Sequence, residues 1–231
     1  MTRPAPLGLF GGTFDPVHYG HLRLAEEAAE ALQLEAVRWI PSGVPGHRAA
    51  PRTAAAHRIA MLERALAGNP RFLLDTAEAH ATAPGFTIDT LKRLRAELGP
   101  ERPLVFIIGT DQLLTFDRWR EWRALFDLAH FAVGERAGYP VREGALPAAL
   151  AAEYGQRYAN RDALRSAPAG RIAVFPMTSL AISASAIRRG VATGASARYL
   201  LPPEVLAYIG THQLYREGDG TGAMEAGHGH P

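Results

Sequence analysis

Six short apolar runs recur along the chain, each bounded by glycine, proline or charged residues. Nearly continuous apolarity over such short runs is typical of parallel strands that are covered on both faces. We therefore predict strands at residues 7–10, 36–40, 71–75, 104–108, 130–133 and 172–176.

Longer amphipathic segments lie between these runs and predict helices. Residues 21–34 repeat apolar side chains at helical spacing, with the glutamates largely on the opposite face. Residues 54–68 end at a Gly-Asn-Pro sequence, which stops a helix. Residues 87–99 begin with Thr87, which we predict as the N-cap, and they end at Gly-Pro.

The alternation of strands and helices predicts a fold class. It indicates right-handed βαβ units, and therefore a doubly wound, Rossmann-like α/β fold in which a parallel sheet carries helices on both faces. We expect a single domain over residues 1–216, with a C-terminal helical part at about 183–216. Residues 137–170 are the least regular and predict a peripheral helix flanked by loops. The Gly-rich tail, residues 217–231, is expected to be disordered.

Composition narrows the class of protein. Hydrophobic residues make up 47% of the 231 positions and charged residues 21%, as in ordinary globular proteins. The absence of cysteine excludes disulfides, thiolate metal sites and cysteine nucleophiles. No run approaches the roughly 18 apolar residues of a membrane span, and the N-terminus lacks a signal-peptide stretch, so we expect a cytoplasmic protein without a membrane partner.

Charge indicates small anionic ligands rather than nucleic acid. The formal net charge is only +2, and the basic residues form no dense stripe along the chain. Binding of mononucleotides explains this weak positive balance without a nucleic-acid partner. The oligomeric state is left open, with a homo-oligomer among the alternatives.

The sequence GGTFDPVHYGHL, residues 11–22, follows the first predicted strand. Gly11 and Gly12 are expected to allow a tight turn and a close approach of backbone N–H groups to a phosphate. Neither a Walker loop nor GxGxxG is present, which removes the main support for a dehydrogenase. His18 and His21 lie three residues apart at the start of a predicted helix, where the positive helix end and two imidazoles favour a phosphate.

This stretch resembles the signature of the adenylyltransferase branch of the nucleotidyltransferase superfamily, whose core is (H/T)xGH. The resemblance implies that the motif binds the triphosphate of ATP and stabilises the transition state at its α-phosphorus. A second superfamily signature, ISxTxIR, is similar to ISASAIRRG at residues 182–190. Ser183 and Ser185 are both placed like helix N-caps, and Arg188 follows Ser185 by one turn, where it can reach a phosphate.

Three further segments resemble nicotinate mononucleotide adenylyltransferases. In FIIGTDQLLTFDRWREW, residues 106–122, the resemblance implies that Asp111 contacts ATP or its ribose and that Trp119 stacks on the pyridine ring. In PGFTIDTL, residues 84–91, Phe86 and Thr87 precede a helix whose donors suit the nicotinate carboxylate. Arg136 is implied as a nucleotide contact.

The loop IPSGVPGHRAA, residues 40–50, is similar to the substrate loop of the same family. His47 and Arg48 are retained, and the resemblance implies contacts with the substrate phosphate or with ATP. Gly43 and Gly46 replace the more usual asparagine and proline, so polar contacts at Gly43 are not expected and the loop is expected to be more mobile.

The roles that the resemblance implies form three groups. The catalytic residues are His18, His21 and Arg188. The ATP-binding residues are Gly11, Gly12, Thr13, Phe14, His18, His21, Asp111, Ile182, Ser183, Ser185 and Arg188. The mononucleotide-binding residues are His47, Arg48, Phe86, Thr87, Trp119 and Arg136. No metal site on the protein is expected, and Mg²⁺ is expected to arrive with ATP.

The implied reaction joins ATP and nicotinate mononucleotide, giving nicotinate adenine dinucleotide and pyrophosphate. Dual or nicotinamide mononucleotide preference remains an alternative. Phosphopantetheine adenylyl transfer is another, although that branch typically has threonine at the position of His18. An alternative of a different functional class is a non-catalytic nucleotide sensor. Loss of a motif histidine or of Arg188 would indicate such a protein. The histidines of the C-terminal tail are interpreted as solvated rather than as a metal site.

Overall fold

A computed structural model describes residues 4–45, 51–136, 141 and 143–216. The strands are β1 (Leu7–Gly12), β2 (Ala36–Pro41), β3 (Val44–Pro45), β4 (Phe72–Leu74), β5 (Pro84–Gly85), β6 (Leu104–Gly109), β7 (His130–Arg136) and β8 (Ile172–Met177). The helices are α1 (Tyr19–Ala31), α2 (Ala55–Leu66), α3 (Thr87–Leu98), α4 (Thr110–Leu113), α5 (Leu125–Leu128), α6 (Ala148–Arg157), α7 (Ala163–Ser166), α8 (Ala184–Ala192) and α9 (Pro203–Thr211).

Six of the strands form one parallel sheet in the order β4-β2-β1-β6-β7-β8. Each of these six strands overlaps one of the predicted apolar runs, so the predicted fold class is confirmed. Because β1 leads outward to β2 on one side and β6 leads outward to β7 on the other, the direction of winding reverses between β1 and β6. A crevice opens at the carboxyl ends of strands at such a reversal, and ligands bind there.

Side chains from each central strand enter two separate apolar cores, one on each face of the sheet. In β1, Phe10 packs with the layer of α1, α2, α8 and α9, whereas Leu9 packs with the layer of α3, α5 and α6. In β6, Ile107 and Ile108 divide in the same way. Successive residues of a strand point to opposite faces, so continuous apolar runs are what two covered faces require.

Two local expectations prove wrong. Gly11 and Gly12 are not in a turn: both belong to β1, where they pair with Ile40 and Pro41 of β2. Thr87 is the first residue of α3 rather than its N-cap; Phe86 occupies the cap position and makes no side-chain cap hydrogen bond. The apolar run therefore predicted the strand correctly but stopped two residues short of its end.

The remaining organisation follows the prediction in part. The irregular stretch contains the expected peripheral helix, α6, followed by the short α7. Gly46, His47, Arg48 and the tail at residues 217–231 lie outside the described residues. In the described part of the chain, no helix has both the length and the apolarity to cross a membrane.

Candidate active site

An inward-facing aromatic ring shapes the turn that follows β1. Phe14 has φ of 50° and is 1% exposed, and its ring packs edge-on to the ring of His21 with centroids 5.1 Å apart. A Cβ atom on Gly12 would lie 2.8 Å from the Phe14 ring, so the close approach requires glycine at this position. The ring of Phe14 thus packs against the buried side of the turn. It does not line the cavity described below.

Two buried charges fix the rest of this turn. Asp15 accepts hydrogen bonds from the backbone N–H of Arg52 at 2.9 Å and from the Tyr215 hydroxyl at 2.6 Å. Arg58, 2% exposed, donates to the carbonyl oxygen of Thr13 at 2.8 Å. A buried charge is tolerated only when it is hydrogen-bonded, so these contacts hold the backbone between residues 13 and 15 in place.

The two motif histidines lie at the first turn of α1. His18 is the N-cap, and its ring stacks on that of His21 with centroids 3.7 Å apart. The backbone N–H of His18 donates to Nδ1 of His21 at 3.3 Å, which leaves the proton of neutral His21 on Nε2. The prediction that both imidazoles share one face of the helix start is confirmed.

Both imidazoles are neutral near pH 7. Burial lowers the pKa of His18 to about 4. Burial, together with the neighbouring His18, lowers the pKa of His21 well below its ordinary value. His18 Nδ1 is buried without a hydrogen-bond partner among the described residues. A buried polar atom without a partner is a mark of a ligand site, because desolvation without a hydrogen bond costs stability.

The second motif lies against the first, although about 170 residues separate them in the chain. Ser183 is the N-cap of α8 and accepts a hydrogen bond from the N–H of Ala186 at 3.2 Å. Arg188 donates from Nη1 to the carbonyl oxygen of Asp15 at 2.6 Å, whereas its buried Nε has no partner in the described structure. Ser185 was predicted as a cap, but it lies inside the helix because Ser183 already takes the cap position. Its hydroxyl lies 3.4 Å from that of Ser183.

A cavity of about 90 Å³ opens beside this pair of motifs. Its lining residues come from the ends of β1 and β2, from the turn after β4, from β5 and β6, from the first turn of α3, and from α4 and the segment after it. They are Gly11, Gly12, Thr13, Ile40, Ser42, Glu78, Gly85, Thr87, Thr90, Phe106, Gln112 and Trp119. Gly11, Gly12, Thr13, Thr87 and Trp119 were predicted as site residues, so the structure brings residues of both implied binding groups to one cavity.

Trp119, and not Trp122, contributes its ring to this cavity. The Trp119 ring is edge-on to Phe106, with centroids 6.2 Å apart, and lies 5.1 Å from Phe116. Trp122 packs instead against Phe116 and Phe126, and the guanidinium of Arg123 covers its ring. Aromatic neighbours on its edge and side fix the plane of the Trp119 indole within the lining.

Other predicted residues lie around the rim. The ring of Phe86 carries the guanidinium of Arg120 at 4.7 Å and is not among the lining groups. Asp111 is exposed at the start of α4, and Arg136 is exposed at the end of β7. Both stand at the carboxyl ends of neighbouring strands, on the side of the sheet where the motifs lie.

Sequence reasoning missed several polar groups of the cavity. Ser42 Oγ is buried without a partner in the part of the chain that the structure describes. Glu78 accepts a hydrogen bond from the hydroxyl of Thr90 at 2.7 Å. Glu78 lies in the turn after β4, in a stretch without motif or periodicity, so only the folded chain shows that it reaches this cavity.

Comparisons with known proteins show the family of the chain. The sequence model of the cytidylyltransferase-like family matches residues 9–190. A protein of Dechloromonas aromatica (strain RCB) named "probable nicotinate-nucleotide adenylyltransferase" is 53% identical over 212 residues, covering 91% of this chain and 98% of that protein. A protein of the same name from Laribacter hongkongensis (strain HLHK9) is 49% identical over 210 residues, covering 91% and 94%.

A solved structure shows the same fold at low sequence identity. Nicotinic acid mononucleotide adenylyltransferase of Plasmodium falciparum, complexed with NaAD, matches with a TM-score of 0.70 and 19% identity. The match covers 92% of this chain and 98% of that chain. The architecture is therefore shared across nearly the whole length of both proteins.

Proposed function

This chain belongs to the nicotinate-nucleotide adenylyltransferases of the cytidylyltransferase-like family, and from that membership we infer its reaction. It transfers the adenylyl group of ATP to nicotinate mononucleotide, which yields nicotinate adenine dinucleotide and pyrophosphate, a step of NAD biosynthesis. The observation that carries the assignment to this site is the contact between the two motifs, in which Arg188 donates to the carbonyl oxygen of Asp15 beside the stacked pair His18 and His21.

The chemistry requires no nucleophile from the protein. The 5′-phosphate of the mononucleotide is already an anion near neutral pH, and one of its oxygens forms the new bond to the α-phosphorus while pyrophosphate leaves with the electron pair. No general base and no covalent intermediate are needed. The task of the site is to align two anions and to stabilise the negative charge that develops on the α-phosphate and on pyrophosphate.

The donors suited to this task are His21 Nε2–H, the unpartnered Nδ1 of His18 in its protonated tautomer, and Nε of Arg188. Neutral imidazoles act here as hydrogen-bond donors, and Arg188 supplies the full positive charge. The positive N-terminus of α1 adds to the same field. Ile182, Ser183, Ser185 and Asp111 are proposed as contacts of the nucleoside part of ATP, and Arg136 as a contact of the mononucleotide.

The mononucleotide is proposed to place its pyridine ring in the cavity beside Trp119. An electron-poor pyridinium stacks favourably on an electron-rich indole. The first N–H groups of α3, beginning at Thr87, have no partner within the helix and suit the carboxylate of the ring. His47 and Arg48 are proposed as contacts of its phosphate.

Enzymes of this kind generally use a divalent cation together with ATP, and we propose Mg²⁺. No group of three or more potential metal ligands occurs among the described residues. We propose that this cation arrives with the triphosphate, where it neutralises phosphate charge.

The test compares three acceptors in a pyrophosphate-release assay with ATP. Nicotinate mononucleotide is expected to be the preferred acceptor, nicotinamide mononucleotide a weaker one, and phosphopantetheine inactive. Turnover of phosphopantetheine alone would show that the substrate is misassigned. Binding of ATP without pyrophosphate release from any acceptor would show a nucleotide sensor instead of an enzyme.

A further inference from the structure

Of the described residues that line the cavity beside Trp119, Glu78 alone carries an ionisable side chain. Its Oε2 accepts the hydroxyl hydrogen of Thr90 at 2.7 Å. Its Oε1 lies 3.1 Å from the position of a Cβ atom on Gly85, so the missing side chain of Gly85 makes room for the carboxyl group. The one hydrogen bond that the structure gives for the Glu78 carboxyl group among the described residues is this contact of Oε2, so Oε1 is the oxygen that we consider for a ligand.

The charged groups around Glu78 are engaged elsewhere. Arg93 of α3 pairs with Asp75, with Nη2 and Oδ2 2.8 Å apart, and Arg58 of α2 donates to the carbonyl oxygens of Thr13 and Thr53. The neighbouring strand β5 supplies only Pro84 and Gly85, which carry no charge. Burial raises the pKa of Glu78, and the hydrogen bond from Thr90 lowers it by a smaller amount.

A nicotinate carboxylate in this cavity would meet a second carboxyl group. Two ionised carboxylates at close range repel each other, whereas a pair that shares one proton forms a strong hydrogen bond. An ionised Glu78 would instead accept a hydrogen bond from the amide NH₂ of nicotinamide. The protonation state of one side chain thus favours one pyridine substituent or the other.

We propose that Glu78 determines the specificity for the pyridine substituent: its neutral carboxyl group donates from Oε1 to the carboxylate of nicotinate mononucleotide, and its ionised form favours nicotinamide mononucleotide. This inference rests on the proposed function, because it requires the pyridine ring to occupy the cavity beside Trp119. Thr87 and the N-terminus of α3 supply only fixed donors to the ring substituent. Glu78 would add a group that distinguishes the two substituents by its protonation state.

The test measures kcat/KM for both mononucleotides between about pH 6 and pH 9 and takes their ratio. Titrations that both substrates share, including those of the 5′-phosphate and of ATP, cancel in this ratio. In the wild-type protein the preference for nicotinate is expected to fall with rising pH, by up to about tenfold per pH unit above the pKa of Glu78, because one proton is taken up on binding.

Two variants and a control make the test specific. Glu78→Gln keeps the shape and a permanent donor, so the ratio should become independent of pH. Thr90→Val removes the hydroxyl that stabilises the ionised carboxylate; the pKa of Glu78 then rises further, and the fall in preference should move to higher pH. Glu63→Gln, an exposed position on α2, should behave as the wild type.

The outcomes are distinguishable. A ratio that is flat in the wild-type protein, or that keeps its pH dependence in Glu78→Gln, would overturn the inference while leaving the adenylyl transfer intact. If Glu78→Gln does not fold, an unchanged midpoint in Thr90→Val would overturn it independently. Absence of either dinucleotide product from the wild-type protein would refute the proposed function itself, and the inference with it.

Discussion

Replacement of His21 by asparagine is expected to lower kcat by on the order of 10²-fold or more, as loss of a transition-state donor does. Nδ1 of His21 accepts the backbone N–H of His18, so its proton lies on Nε2. The asparagine carbonyl can take over the acceptor role of Nδ1 and preserve the start of α1, but it has no group at the position of Nε2. The loss should therefore fall on the chemical step, with KM for ATP changed much less than kcat.

The matched control is His21→Gln, whose side-chain amide can reach the position of Nε2. Single-turnover rates of dinucleotide formation should place His21→Gln well above His21→Asn. Equal rates in the two variants would show that the donor at Nε2 has no catalytic role. A near-normal kcat in His21→Asn would exclude His21 from the transition state altogether.

The second large effect is expected at Trp119. Trp119→Ala should raise KM for nicotinate mononucleotide by about 5- to 150-fold, since stacking of one aromatic base is worth roughly 1–3 kcal/mol. KM for ATP should remain nearly unchanged, because the Trp119 ring lines the cavity whereas His18, His21 and Arg188 are not among its lining residues. Steady-state kinetics with each substrate varied in turn measure both constants.

Trp122→Ala provides the control in the same segment. Trp122 packs on Phe116, as Trp119 does, but its ring does not reach the cavity. This variant should lose stability without a comparable rise in KM for the mononucleotide. A similar rise in both variants, or a parallel rise in KM for ATP, would argue that Trp119 acts through packing rather than by stacking on the pyridine ring.

The strands of the sheet could be predicted from the sequence because the burial of each strand depends on its own residues. Strands covered on both faces must be apolar at successive positions, as Leu9 with Phe10 and Ile107 with Ile108 illustrate, so short apolar runs mark them directly. The positions at which strands and helices begin and end depend more on contacts with other segments. Gly11 and Gly12 extend β1 because they pair with β2. Phe86, and not Thr87, is the N-cap of α3. The local sequence pattern predicts neither of these ends.

The site likewise contains residues that the sequence predicts and residues that it does not. His18, His21 and Arg188 stand in motifs with fixed spacing. In the fold the two histidine rings stack on each other, and Arg188 donates to the carbonyl oxygen of Asp15 in the turn that precedes them. Glu78 and Tyr215 carry no such pattern. Their contacts, with Thr90 and with Asp15, join segments distant in the chain, and only packing decides which polar groups meet there.

The proposed reaction is a direct attack by the phosphate of the mononucleotide on the α-phosphorus of ATP, with no nucleophile from the protein. The stereochemical course of the reaction tests it most directly, with one diastereomer of ATP carrying sulphur on its α-phosphorus. A single displacement predicts inversion of configuration in the dinucleotide product. Retention would require two displacements through an adenylyl–enzyme intermediate and would exclude direct transfer.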